Sequence, residues 1–202
     1  DGIRDPESCL VGSEMCIRDR ERIGGAGKGG AGLLTCLKTL GYAASARGWR
    51  MAFTSNYNPE TRGSLVEGPL VLSAEQEITS PVVDTFTAVM AFDQDGYQSY
   101  GGRLDRGGLI VWDSTRVLDP AEIPEAESYG LPIHEIAHRA EAPRSSNMVL
   151  LGVFNRLRGL FTVDELEAAM RDFLPTGRHD FVPPNRRVLD AVEELDLEQY
   201  RL

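Results

Sequence analysis

Two uninterrupted apolar runs constrain the fold more than any other feature of the chain. Phe86 to Phe92 reads FTAVMAF, and Leu109-Ile110-Val111-Trp112 repeats the signal just after Gly107-Gly108. Neither run alternates apolar with polar residues, as a strand with one wet face does. Continuous apolar strands belong where both faces are covered, inside a mostly parallel sheet flanked by helices. Helical periods fall between the runs. Leu33, Leu34, Leu37 and Leu40 recur at i, i+1, i+4 and i+7 after a glycine-rich stretch, with Gly41 as the expected stop. Met51 and Phe53 alternate as a second strand. Leu65-Val66 and Leu70-Val71-Leu72 read as strand pieces around a turn at Gly68-Pro69. The C-terminal third is helical: Met148, Leu151, Val153, Phe154 and Leu157 make one amphipathic segment. Thr162 with Glu165 forms a capping box ahead of Val163, Leu166, Met170 and Phe173. Pro183-Pro184 break the chain before a last helix carrying Val188, Ala191, Val192 and Leu195. The expected fold is α/β, a three-layer Rossmann-like domain with a mostly parallel sheet and a helical C-terminal part. Without repeats, low-complexity tracts or linkers, residues 21–202 read as a single domain.

Composition excludes several function classes. The net charge of the 202-residue chain is −10. That argues against a phosphate-backbone grip on nucleic acid, which needs clustered Lys and Arg. No apolar stretch approaches the roughly 20 residues that cross a bilayer, so the expectation is a cytoplasmic protein without membrane or nucleic-acid partners. Cys9, Cys16 and Cys36 contain no CxxC pair. Cys36 shares the apolar face of Leu33 and Leu40 and reads as a buried, inert thiol.

Residues 1–20 (DGIRDPESCLVGSEMCIRDR) show neither a helical nor a strand period, nor the layout of a secretory signal. They resemble a translated sequencing-adapter read fused to a gene, the alternative being a native tail; on either reading they are expected to be disordered and are left out of the fold reading. With them left out, only Glu21-Arg22-Ile23 precede the glycines, so the first strand is expected to be short or irregular.

Gly25-x-Gly27-x-x-Gly30 has the spacing of a dinucleotide fingerprint, in which glycines let backbone approach a ligand at a helix N-terminus. The acidic residue expected about 20 positions on is replaced by Ala46-Arg47-Gly48-Trp49-Arg50. Arg47 and Arg50 suit the 2′-phosphate of NADP. The same glycines equally suit a turn facing another ligand or a partner chain, or backbone packing alone. A P-loop is excluded, because no GxxxxGK[ST] occurs. A second candidate is the loop Tyr57-Asn58-Pro59-Glu60-Thr61-Arg62-Gly63, which follows the second strand at the carboxyl edge where open α/β sheets place ligands.

Together, Gly25-Ala26-Gly27-Lys28-Gly29-Gly30 and Tyr57-x-Pro59-Glu60-x-Arg62-Gly63 resemble the gamma subunit, or gamma domain, of the 2-oxoacid:ferredoxin oxidoreductases. The resemblance extends through Ile78-x-Ser80-Pro81, Gly107 to Val111, Asn147 to Gly152 and Asn185-Arg186, covering residues 21 to about 190. It implies a subunit of an enzyme that oxidatively decarboxylates a 2-oxoacid to an acyl-CoA. The complex it implies uses thiamine diphosphate with Mg between alpha and beta partners, iron–sulfur clusters, CoA, a ferredoxin-like delta chain and ferredoxin as acceptor. The gamma chain itself holds no metal and no thiamine. The residues carried over as facing substrate or partner are Gly25, Gly27, Lys28, Gly30, Tyr57, Glu60, Arg62 and Gly63. Two departures stand out. The family's loop usually reads GxGGQG, and here Lys28 and Gly29 replace the second Gly of the pair and the Gln; its RGG reads Arg62-Gly63-Ser64. Lys28 adds a cation suited to a phosphate, a carboxylate or an acidic partner.

His134-Glu135-Ile136-Ala137-His138 matches HExxH, which on a helix puts two His on one face for zinc with Glu as general base. The extended metalloprotease pattern is missing, since Glu141 and Arg144 occupy its later positions. Two ordinary histidines on a half-exposed helix explain the match as well.

Overall fold

The computed structural model describes residues 20–55, 65–80 and 82–202. Among these, the strands are β1 (Arg20–Lys28), β2 (Arg50–Phe53), β3 (Leu65–Ser73), β4 (Phe86–Ala91), β5 (Leu104–Asp113) and β6 (Glu127–Leu131). The helices are α1 (Leu33–Ala46), α2 (Gln94–Gly101), α3 (Ile133–Arg139), α4 (Asn147–Arg158), α5 (Val163–Phe173) and α6 (Val182–Glu193). The strands form one sheet in the order β2-β3-β1-β4-β5-β6. β1, β4, β5 and β6 run parallel, and β3 runs antiparallel between β1 and β2. This is the mostly parallel α/β fold expected from the apolar runs.

The runs are apolar, Thr87 apart, because each strand faces two cores. All six residues of β4 are buried. Ala88 and Met90 of β4, with Leu109 and Val111 of β5, face the larger core, which α1 and the C-terminal helices complete. Phe86, Val89 and Ala91, with Ile110 and Trp112, face a smaller core closed by Tyr97 and Tyr100 of α2. Each large side chain buried this way contributes roughly 1.5–3 kcal/mol. The capping box is present as expected: Thr162 accepts from the Glu165 amide, and Glu165 accepts from the Thr162 amide. Pro183-Pro184 do not precede the last helix. They lie in the first turn of α6, where a missing N–H leaves no bond unmade.

Four local readings are corrected. β1 is neither short nor irregular: it spans nine residues, paired with β3 along its whole length and with β4 from Ile23 to Ala26. Its start is tied down by the Arg22 amide donating to Thr87 Oγ1 (2.9 Å) and by the Arg22–Asp105 ion pair. Gly25 and Gly27 are therefore not a turn but strand residues beneath it. Gly68-Pro69 is likewise strand, opposite Gly25 and Gly24; a Cβ on Gly68 would lie 3.0 Å from Leu37 Cδ1. Gly41 does not end α1 but lies inside it, where a Cβ would come within 2.6 Å of Met51 Cε. In each case a neighbour takes the space a side chain would need, and sequence spacing carries no trace of that neighbour.

Candidate functional site

The turn proper starts where β1 ends. Gly30 and Gly32 have φ of 96° and 88°, the left-handed region that glycine adopts freely. Gly32 caps α1 with no side-chain cap bond, so first-turn N–H groups stay open to an anion. Asn147 Nδ2 donates to the Gly32 carbonyl (3.3 Å), and its Cγ would lie 2.7 Å from a Cβ at Gly32. Backbone freedom and close packing both demand glycine there.

This turn forms one wall of a cavity of about 720 Å³ at the carboxyl ends of β1, β4 and β5. That volume is in the range of small-molecule sites. The cavity lies where the sheet order changes direction, at β1 and β4, the usual ligand position in open α/β sheets. Lys28, Arg116, Arg144 and Arg178 supply four cations to the lining, and His134 adds an imidazole. Asp113 is the one acid of the lining among the described residues. A chain of net charge −10 thus gathers positive charge at one concave place. Among the described residues the Arg144 and Arg178 side chains make no hydrogen bond or ion pair. Lys28 Nζ stands 3.8 Å from Asp95 Oδ2, with both groups more than half exposed, a contact worth little in water.

Of the expected site residues, Lys28 and Gly30 line the cavity. Gly25 and Gly27 lie in β1, where a Cβ would sit 2.2 Å from Leu33 Cδ1 and 2.6 Å from Phe92 Cβ. At both positions a neighbouring side chain takes the space that a side chain of their own would need. Tyr57, Glu60, Arg62 and Gly63 lie outside the described residues.

Two carboxylates were missed. Asp93, nearly buried after β4, accepts from the Lys28 amide (2.6 Å) with one oxygen and from the Gly96 amide (2.9 Å) with the other. It caps α2 and fixes the peptide where the turn departs. An Asp three residues before a glycine, right after a buried run, is the cap signal that marks it. Asp113 ends β5 in the same way, and its Oδ1 accepts from the Thr115 amide (3.0 Å) and hydroxyl (2.7 Å).

The competing readings lose their geometry. Arg47 does not face the turn. It donates to both Glu165 oxygens (2.5 and 2.6 Å) and to the Leu160 carbonyl, and lies over the Trp49 and Phe161 rings. The Arg47 guanidinium, aided by Thr162, holds the Glu165 carboxyl down at about 2. Arg50 donates to the Glu75 carbonyl (2.8 Å). Arg47, so held to Glu165 and Leu160, is not available for a 2′-phosphate. In the HExxH stretch, Glu135 pairs with Arg139, and His134 Nε2 faces Asp113 Oδ2 at 3.9 Å. Among the described residues no three His, Cys, Asp or Glu side chains gather as a metal site. Cys36 is fully buried, and burial pushes its thiol up to about 12, so it is not a nucleophile.

A sequence profile of the pyruvate ferredoxin/flavodoxin oxidoreductase family matches residues 22–195. The chain is 32% identical over 169 residues to the ketoisovalerate oxidoreductase subunit VorA of Methanothermobacter marburgensis, covering 82% of this chain and 34% of that protein. It thus spans about a third of that relative's length. The crystal structure of a keto/oxoacid ferredoxin oxidoreductase gamma subunit from Geobacter sulfurreducens superposes with a TM-score of 0.73 at 24% identity, over 91% of this chain and 99% of that one. The 2-oxoglutarate:ferredoxin oxidoreductase of Magnetococcus marinus, with 2-oxoglutarate, coenzyme A and succinyl-CoA bound, superposes with a TM-score of 0.74 at 23% identity, over 89% of this chain and 32% of that one. These likenesses establish a shared fold.

Proposed function

The chain belongs to the pyruvate ferredoxin/flavodoxin oxidoreductase family, and on that premise we propose that it is the gamma-type subunit of a thiamine-dependent 2-oxoacid:ferredoxin oxidoreductase. The complex oxidatively decarboxylates a 2-oxoacid, transfers the acyl group to CoA and passes the electrons to ferredoxin. The alpha and beta chains hold thiamine diphosphate with Mg, the iron–sulfur clusters lie outside this chain, and a ferredoxin-like delta chain completes the assembly in the cytoplasm. Among the described residues no helix is long and apolar enough to cross a membrane.

The observation that carries this reading is the basic cavity at the carboxyl edge of an acidic chain. Its open α1 N-terminus, Lys28 and Arg144 fit the phosphates of CoA, which is bound in the Magnetococcus marinus oxidoreductase of the same fold. Charge-assisted bonds at the turn hold the phosphate end. The described residues do not fit the other groups. Cys36, their single thiol, does not supply the four thiolates a cluster usually takes, and no metal-holding cluster gathers. Thiamine diphosphate supplies an ylid for decarboxylation when bound, and this chain's part is to bind and orient the acyl acceptor.

The test is reconstitution with the partner chains. Dye or ferredoxin reduction that depends on both 2-oxoacid and CoA is expected only when this chain is present. Equal CoA-dependent turnover without it, or purification from the native cell as a lone monomer, refutes the reading.

A further inference from the structure

Asp113 carries a feature that anion binding leaves unexplained. Its side chain is 0% exposed. Oδ1 is satisfied by Thr115, but Oδ2 is buried with no hydrogen-bond partner. Arg116 Nε at 3.7 Å and His134 Nε2 at 3.9 Å lie beyond hydrogen-bond reach. Both residues line the cavity, as Asp113 does, and both are about half exposed, so a ligand that moves either one reaches the oxygen. A buried carboxylate oxygen without a donor is destabilising. An acid in the wall of an anion site also repels the anion. Both effects weigh against Asp113 unless a donor arrives with the ligand.

Resting on the reading of the cavity as a phosphate-carrier site, we propose that Asp113 Oδ2 accepts a hydrogen bond from a hydroxyl or amino group of the bound carrier. Asp113 is then a specificity-determining residue: Lys28, Arg144 and the α1 N-terminus take the phosphate, and Asp113 selects carriers that bear a donor beside it. Simple anions meet the same cations and the Asp113 repulsion, with no donor to offset it. CoA offers donors on two parts, the ribose and adenine of its nucleotide half and the hydroxyl and amides of its pantetheine half.

The test is calorimetric titration of the full chain with CoA, adenosine 3′,5′-bisphosphate, 4′-phosphopantetheine and pyrophosphate. In Asp113→Asn, Oδ1 still accepts from Thr115 while an NH2 replaces Oδ2 and opposes the ligand's donor. The Kd for CoA is expected to rise about tenfold to a hundredfold, as for loss of a hydrogen bond to a charged group. The half that carries the donor should lose affinity alongside CoA, and pyrophosphate should not. Without ligand the variant should melt at or above the wild-type temperature, because the buried charge is gone. Wild-type chain alone gives a second measurement: the donor-bearing half should bind more tightly than pyrophosphate, and equal affinity overturns the inference. Unchanged CoA affinity in Asp113→Asn, with a clear loss in Arg144→Ala, overturns this inference and leaves the site reading standing. No CoA binding to wild-type chain overturns both. A variant that melts lower and weakens every ligand alike marks Asp113 as merely structural and also overturns it.

Discussion

Gly27→Ala separates two roles for the glycine-rich segment. If Gly27 admits a ligand, a methyl there weakens binding and leaves stability alone. If it admits Phe92, the methyl destabilises the fold. A Cβ on Gly27 would stand 2.6 Å from Phe92 Cβ, with Phe92 Cγ at 3.5 Å and Asp93 Oδ2 at 3.6 Å. Phe92 Cβ is one bond from its own backbone, and no rotamer change moves it away. Phe92 is 2% exposed, and its amide donates to the Ala26 carbonyl at 3.0 Å. Relief therefore means prising the β4 terminus from β1. Overpacking of this kind costs about 1–3 kcal/mol, offset by the roughly 0.4–1 kcal/mol that Ala contributes by restricting the unfolded chain. A net loss of about 1–2 kcal/mol lowers Tm by about 2–8 °C at this chain size. Thermal melts with a parallel urea titration read it directly. A variant that melts within about 1 °C of wild type while losing CoA affinity refutes the packing account.

Two further outcomes follow from the titrating groups. The Glu165 carboxyl is lowered from 4.5 to about 2, chiefly by Arg47, so the stability it adds is full above pH 4.5 and is lost as the pH falls toward about 2. The stability gap between wild type and Glu165→Gln should close across that window, and a gap constant down to pH 2 rules out the ion pair as its source. Cys36, with its thiol near 12 and fully buried, should resist iodoacetamide at pH 8 in the native chain, as peptide mass mapping reads it; rapid native labelling contradicts the burial.

The continuous apolar runs were legible because two cores impose one rule: with a core on each face of β4 and β5, a polar residue is kept only where it is bonded, as Thr87 is to Arg22 and Glu21. The Thr162–Glu165 box was legible because its chemistry is local. The glycines were legible as glycines but not in their role. Spacing records that Gly25 and Gly27 lack side chains, whereas Leu33 and Phe92, which take the space, come from other elements. Gly68-Pro69 misled for the same reason, since pairing with β1 overrides a strong local turn signal. Lys28, Gly30 and Asp113 all line the cavity, but only the first two were singled out in the sequence. Two of the three belong to a recognisable run, and the third is a lone acid whose meaning depends on what faces it.

Asp93 has a mechanical consequence. A single carboxylate is the common footing of the α2 N-terminus, on one side of the sheet, and of the Lys28 peptide at the lip of the cavity. The far end of the turn is held separately, by Asn147 on the Gly32 carbonyl. A tilt of α2 thus reaches the near end of the lip first, through one carboxylate shared across β1.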